Sequence, residues 1–224
     1  MYPPNGDDAC VLLYIIRHGE SERNRDREGP YDCPLTEAGL RQAELTGAWL
    51  RGKGIAHLYC SPAIRTCETA LAIGRAIGVA PRPWAELVEW GYFFEEPGLT
   101  GAELAARFPE IPFGDEFPKD RGWAAERTEE SWEELFSRAE FVRDELLRRH
   151  APGDAPVALV THAHFARHLL AVLLGLSAHD AWSGRVDIYN CSVTCFEFRG
   201  ETGAPVLCYA NAHGHLGASA TYHP

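Results

Sequence analysis

The sequence lacks features that would place it in several large classes of proteins. No apolar run approaches the roughly 20 residues that a helix needs to cross a bilayer, so we predict no membrane-spanning segment and no membrane partner. Positive charge is scarce, since 21 lysines and arginines face 32 acidic residues and the net charge is -11. Such a surface repels a nucleic-acid backbone, and we expect no nucleic-acid partner. A local positive pocket for a small anion is compatible with this charge.

The cysteine pattern lacks the regularity of a secreted disulfide framework. The seven cysteines are an odd number, and no two of them form a CxxC pair. Cys60, Cys191, Cys195 and Cys208 fall in predicted strands, where cysteine commonly acts as a small buried apolar residue. The pattern favours a reducing, cytoplasmic location. The first ten residues contain neither a basic start nor an apolar segment, so we predict no signal peptide.

Buried strands alternate with helices along most of the chain. Apolar runs predict strands at 11–17, 57–61 and 157–161, and each is followed by a segment with helical signals. This alternation predicts an α/β fold with a mostly parallel sheet between two layers of helices, a three-layer α/β/α sandwich. Since 46% of the 224 residues are apolar, one core can form, and we predict a single domain over 1–224.

Three further features refine this fold. The helix after the second strand is predicted to start with Ser61 as N-cap and Pro62 at its first position. The stretch 81–128 is rich in proline, glycine and aromatic residues, and we predict that it is an inserted lid. Two late strands, at 189–198 and 205–212, are predicted to form a hairpin. The exposed edge of this hairpin could pair with a second copy of the chain, so a homodimer is possible.

Polar side chains follow the apolar strands where each strand ends. The first strand leads into Arg17 and His18, and the strand 157–161 leads into His162. Arg65 lies one turn into the helix that follows a third strand. Because parallel strands place their carboxyl ends at one edge of a sheet, we expect these four side chains to meet. Two arginines and two histidines form an anion site of the size of a phosphate group.

The order of the motifs carries a family resemblance. In sequence order the chain contains RHGESERN, LTEAGLRQA, SPAIRTCETA, ELVE, VTHAH and NCSVTCFEF. With these segments it resembles the histidine phosphatase superfamily, in its phosphoglycerate mutase-like branch. The resemblance covers about residues 11–198. RHG is a weak signal by itself, whereas RHG after an apolar strand, SPxxRxxxTA and a later strand-ending histidine together are specific.

The resemblance implies a role for each residue at the expected site. His18 would be the nucleophile, taking the phosphoryl group on a ring nitrogen to form a phosphohistidine. Arg17, Arg65 and His162 would bind the equatorial phosphoryl oxygens, because phosphoryl transfer depends on positioning and charge neutralisation. Glu89 would protonate the leaving oxygen and then deprotonate the attacking water. No metal or other cofactor is implied, since the arginines supply the charge that Mg²⁺ supplies in other enzymes.

Further residues are expected around the phosphoryl group. Asn24 would donate a hydrogen bond to it, and Ser21 and the amide of Ala163 are weaker candidates for the same role. Glu20 either contacts the substrate or braces the loop after the nucleophile. His164 is expected where the pocket opens.

Some positions leave alternatives open. The expected proton donor Glu89 has neighbours of the same type in Glu86, Glu95 and Glu96. Asn190, in the segment NCSVTCFEF, fits a motif of the family and is expected to position a strand end near the site, as is the serine two residues later.

The segment EWGYFFEEPG favours one activity over another. Mutases of this branch carry basic residues after the proton donor to hold a substrate carboxylate and a second phosphate, whereas this segment carries acidic ones. We therefore predict a metal-independent phosphomonoester hydrolase acting on a small phosphorylated substrate. The aromatic residues Trp90, Tyr92, Phe93 and Phe94 suggest an apolar or planar leaving group.

Three alternatives stay open. A phosphoglycerate-type mutase would need added bisphosphoglycerate for turnover. A catalytically degenerate phospholigand-binding protein is the second, and the intact Arg17, His18, Arg65 and His162 argue against it. A metallohydrolase using the clustered histidines of THAHFARH is the third, and a chelator would abolish its activity.

Overall fold

A six-stranded sheet lies at the centre of the computed structural model, which describes residues 10–91, 96–182, 186–200 and 204–223. Its strands, in chain order, are β1 (Cys10–Arg17), β2 (His57–Cys60), β3 (Arg82–Pro83), β4 (Val157–Thr161), β5 (Val193–Arg199) and β6 (Ala204–Ala212). They lie in the order β3-β2-β4-β1-β5-β6. The first four are parallel, and β5 pairs antiparallel with both β1 and β6. The predicted mostly parallel sheet is confirmed.

Helices cover both faces of this sheet. They are α1 (Glu22–Asp26), α2 (Glu37–Leu50), α3 (Ile64–Ile77), α4 (Gly101–Arg107), α5 (Trp132–Arg149), α6 (Ala163–Leu173) and α7 (Ala178–Trp182). Successive residues of β1 point to opposite faces. Tyr14 and Ile16 pack with α2 and α3, whereas Leu13 and Ile15 pack with α5 and α6. The layers therefore form the predicted α/β/α sandwich.

The register of the central strands brings the expected site residues together at one edge of the sheet. Arg17 of β1 is paired with Thr161 of β4, so the residues that follow, His18 and His162, leave the sheet side by side. The main-chain N–H of His18 donates to the carbonyl of Thr161 over 2.9 Å. In β2, Cys60 is paired with Val160 of β4, which brings the start of α3 to the same edge.

The start of α3 differs from its prediction. The helix begins at Ile64 with Ala63 as N-cap, so Ser61 and Pro62 lie before it. The reason is that Ser61 still belongs to the extended ladder, because its N–H donates to the carbonyl of Val160 over 3.1 Å. The hydroxyl of Ser61 accepts from the N–H of Ala63 over 3.4 Å and also contacts a site histidine.

The stretch 81–128 is packed against the edge of the sheet. Arg82–Pro83 forms β3 and pairs with β2, so the stretch begins inside the sheet itself. Leu104, Phe108, Phe117 and Trp123 belong to the same apolar cluster as the residues of α3. A role as a lid stays a prediction, and residues 92–95 of this stretch lie outside the described ranges.

The far edge of the sheet is formed by β6. The predicted late hairpin is confirmed as β5 and β6, although β5 begins at Val193 and not at the predicted residue 189. Residues 201–203, between the two strands, lie outside the described residues. A homodimer through this edge stays a prediction. In the part of the chain that the structure describes, no helix is long and apolar enough to cross a bilayer.

Candidate active site

His18 follows β1 and is held in one tautomer. It is only 3% exposed, and its Nδ1 lies 2.7 Å from the carbonyl oxygen of Gly19. Because a carbonyl only accepts, Nδ1 carries the ring proton and Nε2 carries the lone pair. Nε2 accepts a hydrogen bond from Nε of Arg65 over 3.2 Å. The unprotonated nitrogen is therefore the one that meets the arginine.

The surroundings of His18 keep its ring neutral. Burial lowers its pKa well below the usual value, and the charges of Arg65 and Arg17 lower it further, against a smaller opposite effect of the hydrogen bond to Gly19. A neutral imidazole is the form with a lone pair to attack phosphorus. The two cations that would bind the phosphoryl group thus also keep the ring in its nucleophilic form.

Arg17 carries a buried donor that the protein leaves unsatisfied. Its two terminal nitrogens donate to the carbonyls of Ile188 and His223, the second over 2.9 Å. Its Nε has no hydrogen-bond partner among the described residues, although the side chain is only 3% exposed. Burial lowers the pKa of Arg17 to about 10, so the guanidinium remains charged at neutral pH. A buried unpaired N–H next to a nucleophile suits an anion.

Arg65 connects the two histidines. Its Nη2 lies 3.1 Å from Nδ1 of His162, and its Nη1 donates to the carbonyl of Tyr31. Since Arg65 can only donate, Nδ1 of His162 accepts, and Nε2–H of His162 donates to the hydroxyl of Ser61 over 2.9 Å. The centres of the His18 and His162 rings are 5.1 Å apart. Burial, followed by the charge of Arg65, lowers the pKa of His162 well below its usual value.

Glu89 lies at the amino end of α6. Its carboxylate accepts hydrogen bonds from the main-chain N–H groups of Trp90, His164 and Phe165 at 3.0, 3.2 and 3.0 Å. Burial raises the pKa of Glu89, but neighbouring His164 and these three donors lower it more, and the net shift is downward. In the free protein Glu89 is therefore a carboxylate.

The alternative glutamates have other contacts. Glu86 forms an ion pair with Arg127 over 3.3 Å. Glu96 accepts from the main-chain N–H of Tyr31 over 2.8 Å, and Glu95 lies outside the described residues. Of the described three, Glu89 is the one that lines the cavity beside His18. The sequence alone left this choice open.

Most of the predicted site residues line one cavity of about 300 Å³. Those on its wall are Arg17, His18, Ser21, Asn24, Arg65, Glu89, Ala163 and His164. Two predicted residues do not line it. His162 is completely buried behind Arg65. Glu20 lies behind the wall, where its carboxylate accepts from the hydroxyl of Thr36 and pairs with His223.

A small hydrogen-bond network supports the loop after His18. Ser21 caps α1, and its hydroxyl accepts from the N–H of Asn24 over 3.3 Å. The side-chain oxygen of Asn24 accepts from the amide of Asn190, which also donates to the carbonyl of His18. The oxygen of Asn24 is thus occupied, and its NH₂ group is left for a ligand. The carbonyl of Ser192 accepts from the N–H of Arg17 over 3.4 Å.

The structure adds wall residues that sequence reasoning missed. They are Arg23, Arg27, Tyr31, and His223, with Trp90 completing the wall. Arg27 follows α1 as its C-cap in the left-handed conformation, so no helical spacing from Asn24 pointed to it. His223 gave no local signal, since it lies 205 positions after His18 and reaches the site only through the path of the C-terminal segment.

The aromatic residues beside the cavity form a stack. The ring of Trp90 stacks on Trp132 with centres 3.9 Å apart, and Trp132 stacks on His168 at 5.6 Å. Tyr92, Phe93 and Phe94 lie outside the described residues. Among the residues that are described, no three histidine, cysteine or acidic side chains come together as a metal-binding group.

A sheet edge that joins two buried histidines to two arginines defines the histidine phosphatase class. The family model described as histidine phosphatase superfamily (branch 1) matches residues 13–211, and the chain belongs to this family. It is 30% identical over 201 residues to a probable phosphoglycerate mutase GpmB of Yersinia pestis (strain Pestoides F), covering 84% of this chain and 86% of that protein.

Two solved structures show the same fold. YhfR of Bacillus stearothermophilus superposes with a TM-score of 0.68 at 23% identity, over 92% of this chain and 99% of that chain. A mycobacterial glucosyl-3-phosphoglycerate phosphatase superposes with a TM-score of 0.64 at 23% identity, over 91% and 99%. The relatives thus include proteins named as mutases and as phosphatases.

Proposed function

We propose that the protein is a phosphomonoester hydrolase that works through a phosphohistidine on His18 and requires no metal. The observation that carries the proposal is the neutral, buried His18, whose Nε2 accepts a hydrogen bond from Arg65 in a cavity that Arg17 also lines. A nucleophile and two cations in one cavity are what a phosphoryl group needs for in-line attack.

The first half-reaction forms the phosphoenzyme. Nε2 of His18 attacks phosphorus, and the bond from phosphorus to the ester oxygen breaks. Arg17 and Arg65 hold the equatorial oxygens, with Asn24 as a further donor. Glu89 delivers a proton to the leaving oxygen. Because Glu89 is ionised in the free protein, it takes this proton when the dianionic substrate binds and raises its pKa.

The second half-reaction releases phosphate. The carboxylate of Glu89 takes a proton from a water molecule, and the water oxygen attacks phosphorus as the bond to Nε2 breaks. Inorganic phosphate leaves, and His18 returns to its neutral form. His162 supports the transfer from behind, since it orients Arg65.

A phosphoglycerate-type mutase is the second candidate, and the names of the relatives favour it. The acidic residues after Glu89 favour hydrolysis, because a mutase must hold its intermediate while it reorients in the pocket. We infer a hydrolase for this reason, with a small phosphorylated compound as substrate.

The test compares hydrolysis of an aryl phosphate by the native protein, by His18→Ala and by His150→Ala, all with excess chelator. His150 is a buried histidine outside the cavity and serves as the matched control. The proposal expects chelator-resistant activity in the native protein and the control, none in His18→Ala, and a transient phosphate adduct by intact mass. Turnover only with bisphosphoglycerate would indicate a mutase. Loss of activity with chelator would indicate a metallohydrolase, and phosphate binding without turnover or adduct a binding protein.

A further inference from the structure

Two cysteines lie on neighbouring strands at the edge of the sheet that is remote from β3. Both are free thiols, Cys195 in β5 and Cys208 in β6. Cys195 is only 3% exposed, whereas Cys208 is exposed. Cys208 therefore differs from the buried apolar role that the sequence predicted for cysteines in strands. The edge strand presents to solvent a thiol that has a second thiol on the adjacent strand.

A β-bulge brings these two cysteines together. Phe196 of β5 is paired with Leu207 of β6. The preceding residue, Cys195, is paired with Tyr209, so β6 contains one extra residue at this point, and that residue is Cys208. At a bulge, two residues of one strand lie opposite one residue of the other, so Cys208 and Tyr209 both oppose Cys195.

The spacing of the two cysteines suits a disulfide. Opposed residues of neighbouring antiparallel strands have Cα atoms about 4.5–5.5 Å apart, and a disulfide spans about 4.4–6.8 Å. Burial raises the pKa of Cys195 to about 12, and the charge and the hydrogen bond of Cys208 contribute to this rise. The two thiols therefore interact directly, and a bond between them needs no rearrangement of the strands.

Three other cysteines near these strands or near each other are unsuited to the same reaction. Cys10 lies on β1, and β5 separates it from β6, which corresponds to roughly 9.6 Å across two strand spacings. That distance is too long for a disulfide with Cys208. Cys60 and Cys67 share a hydrogen bond, but both side chains are completely buried, so a dissolved oxidant does not reach them in the folded protein.

We propose that Cys195 and Cys208 are a redox modification site, at which a low-molecular-weight disulfide converts the two thiols into a reversible disulfide that joins β6 to β5. The bond stabilises the folded chain, because it closes a loop in the unfolded one. It also fixes the start of the C-terminal segment that carries His223 to the cavity, since this segment follows β6. This inference is independent of the proposed function.

The reaction consists of two thiol–disulfide exchanges. The thiolate of Cys208, which is accessible, attacks one sulfur of the small disulfide, and half of that molecule leaves as a thiolate. The thiolate of Cys195 then attacks Sγ of Cys208, and the second half leaves. The two protein thiols lose two protons and two electrons in total, and the small disulfide is reduced to two thiols. Burial and the charge of Glu197 raise the pKa of Cys208, so the exchange is slow at neutral pH.

The test incubates the folded protein with glutathione disulfide at about pH 8.5, where more of the thiol is ionised. Alkylation in urea then counts the free thiols by intact mass. The oxidised protein is expected to take up two labels fewer than the seven of the reduced protein. Peptide mapping should show the peptides of Cys195 and Cys208 joined, and dithiothreitol should restore all labels.

Two cysteine variants separate this pair from the other thiols. In Cys208→Ser the disulfide should not form, and the variant should fold normally because the side chain is exposed. Cys10→Ser is the matched control, since Cys10 lies on the neighbouring strand β1, and it should form the disulfide like the native protein. The urea midpoint of unfolding is expected to rise by roughly 1 M on oxidation of the native protein and of Cys10→Ser, and not of Cys208→Ser.

Several results would overturn the proposal. A lasting mixed disulfide of glutathione on Cys208 would show that Cys195 does not complete the exchange. A covalent dimer, or a disulfide that still forms in Cys208→Ser, would show that other thiols react. An unchanged or lower urea midpoint in the oxidised protein would show that the bond does not stabilise the hairpin. None of these readouts depends on catalytic activity, so the proposed function stands or fails separately.

Discussion

Nε of Arg65 donates a hydrogen bond to Nε2 of His18 across 3.2 Å, so the atom expected to attack phosphorus is held by a cation before substrate binds. The lone pair is thereby protected from protonation in the resting state. A phosphoryl oxygen must take over this donor when substrate enters, which couples binding to the release of the nucleophile. In the proposed mechanism the arginine therefore acts both in the resting state and when the phosphoryl group binds.

The first prediction concerns the shape of this arginine. Arg65→Lys keeps the charge but loses the planar group that reaches His18, His162 and Tyr31 together. We expect kcat/KM for an aryl phosphate to fall about 100-fold to 1000-fold, the loss typical of one preorganised donor. Arg75→Lys is the control, because Arg75 is exposed on the same helix and pairs with Glu110. Equal activity of both variants would contradict the role of Arg65.

The second prediction concerns stability against pH. Burial and neighbouring arginines lower the folded-state pKa values of His18 and His162 below the unfolded value of 6.5. The unfolded chain therefore binds protons that the folded chain does not, and stability falls as pH drops below 6.5. Each histidine should contribute about 1.4 kcal/mol per pH unit in this window, until its folded-state pKa is reached. Urea unfolding between pH 7.5 and pH 5 measures the slope.

His18→Gln and His162→Gln provide the comparison for this slope. Each removes one proton-binding difference, so each should flatten the loss of stability with acid. Other buried or half-buried histidines with lowered pKa values keep contributing in both variants, so the slope should decrease without vanishing. An unchanged slope in both variants would show that the two rings are not held neutral.

The third prediction separates the two roles of Glu89. In Glu89→Gln no proton donor is left, so kcat/KM for an alkyl phosphate should fall about 100-fold to 10,000-fold. An aryl phosphate, whose leaving group needs less protonation, should lose less in kcat/KM. Without the base, the attack of water on the phosphohistidine becomes slow. We therefore expect a burst of about one equivalent of phenol from the aryl phosphate, and the phosphorylated protein should accumulate. Glu86→Gln, which loses only the pair with Arg127, should show neither effect.

The fourth prediction concerns the pair between Glu20 and His223. Nε2 of His223 lies 2.8 Å from Oε2 of Glu20, and His223 lines the cavity. In His223→Ala the carboxylate loses this partner and repels phosphate, so the inhibition constant of phosphate should rise about threefold to tenfold. The double variant with Glu20→Gln should recover the native value.

The neighbouring residue supplies the control for this pair. Tyr222→Phe removes a hydrogen bond to Asp187 from the same C-terminal segment without touching Glu20. It should leave the inhibition constant of phosphate unchanged. If the double variant bound phosphate as weakly as His223→Ala, the effect would come from the segment's position and not from the charge of Glu20.

The sequence by itself determined the strands and the residues at their ends. Continuous apolar runs predict β1 and β4, and the shared direction of parallel strands is enough to bring His18 and His162 to one edge. The N-cap of α2 is equally local, because the side chain of Thr36 accepts from the N–H of Gly39 three residues later. These features depend on neighbours in sequence and on rules that hold for any parallel sheet.

Only the tertiary structure decided which side chains face the cavity. Glu89, and not Glu86, contacts the amino end of α6 and faces the cavity. His162 lies behind Arg65. The tertiary structure also brought His223 to a site whose first residue, Arg17, lies 206 positions earlier. Local periodicity carries no information on such contacts, because they depend on how separate segments pack and on which buried donors and acceptors remain to be paired.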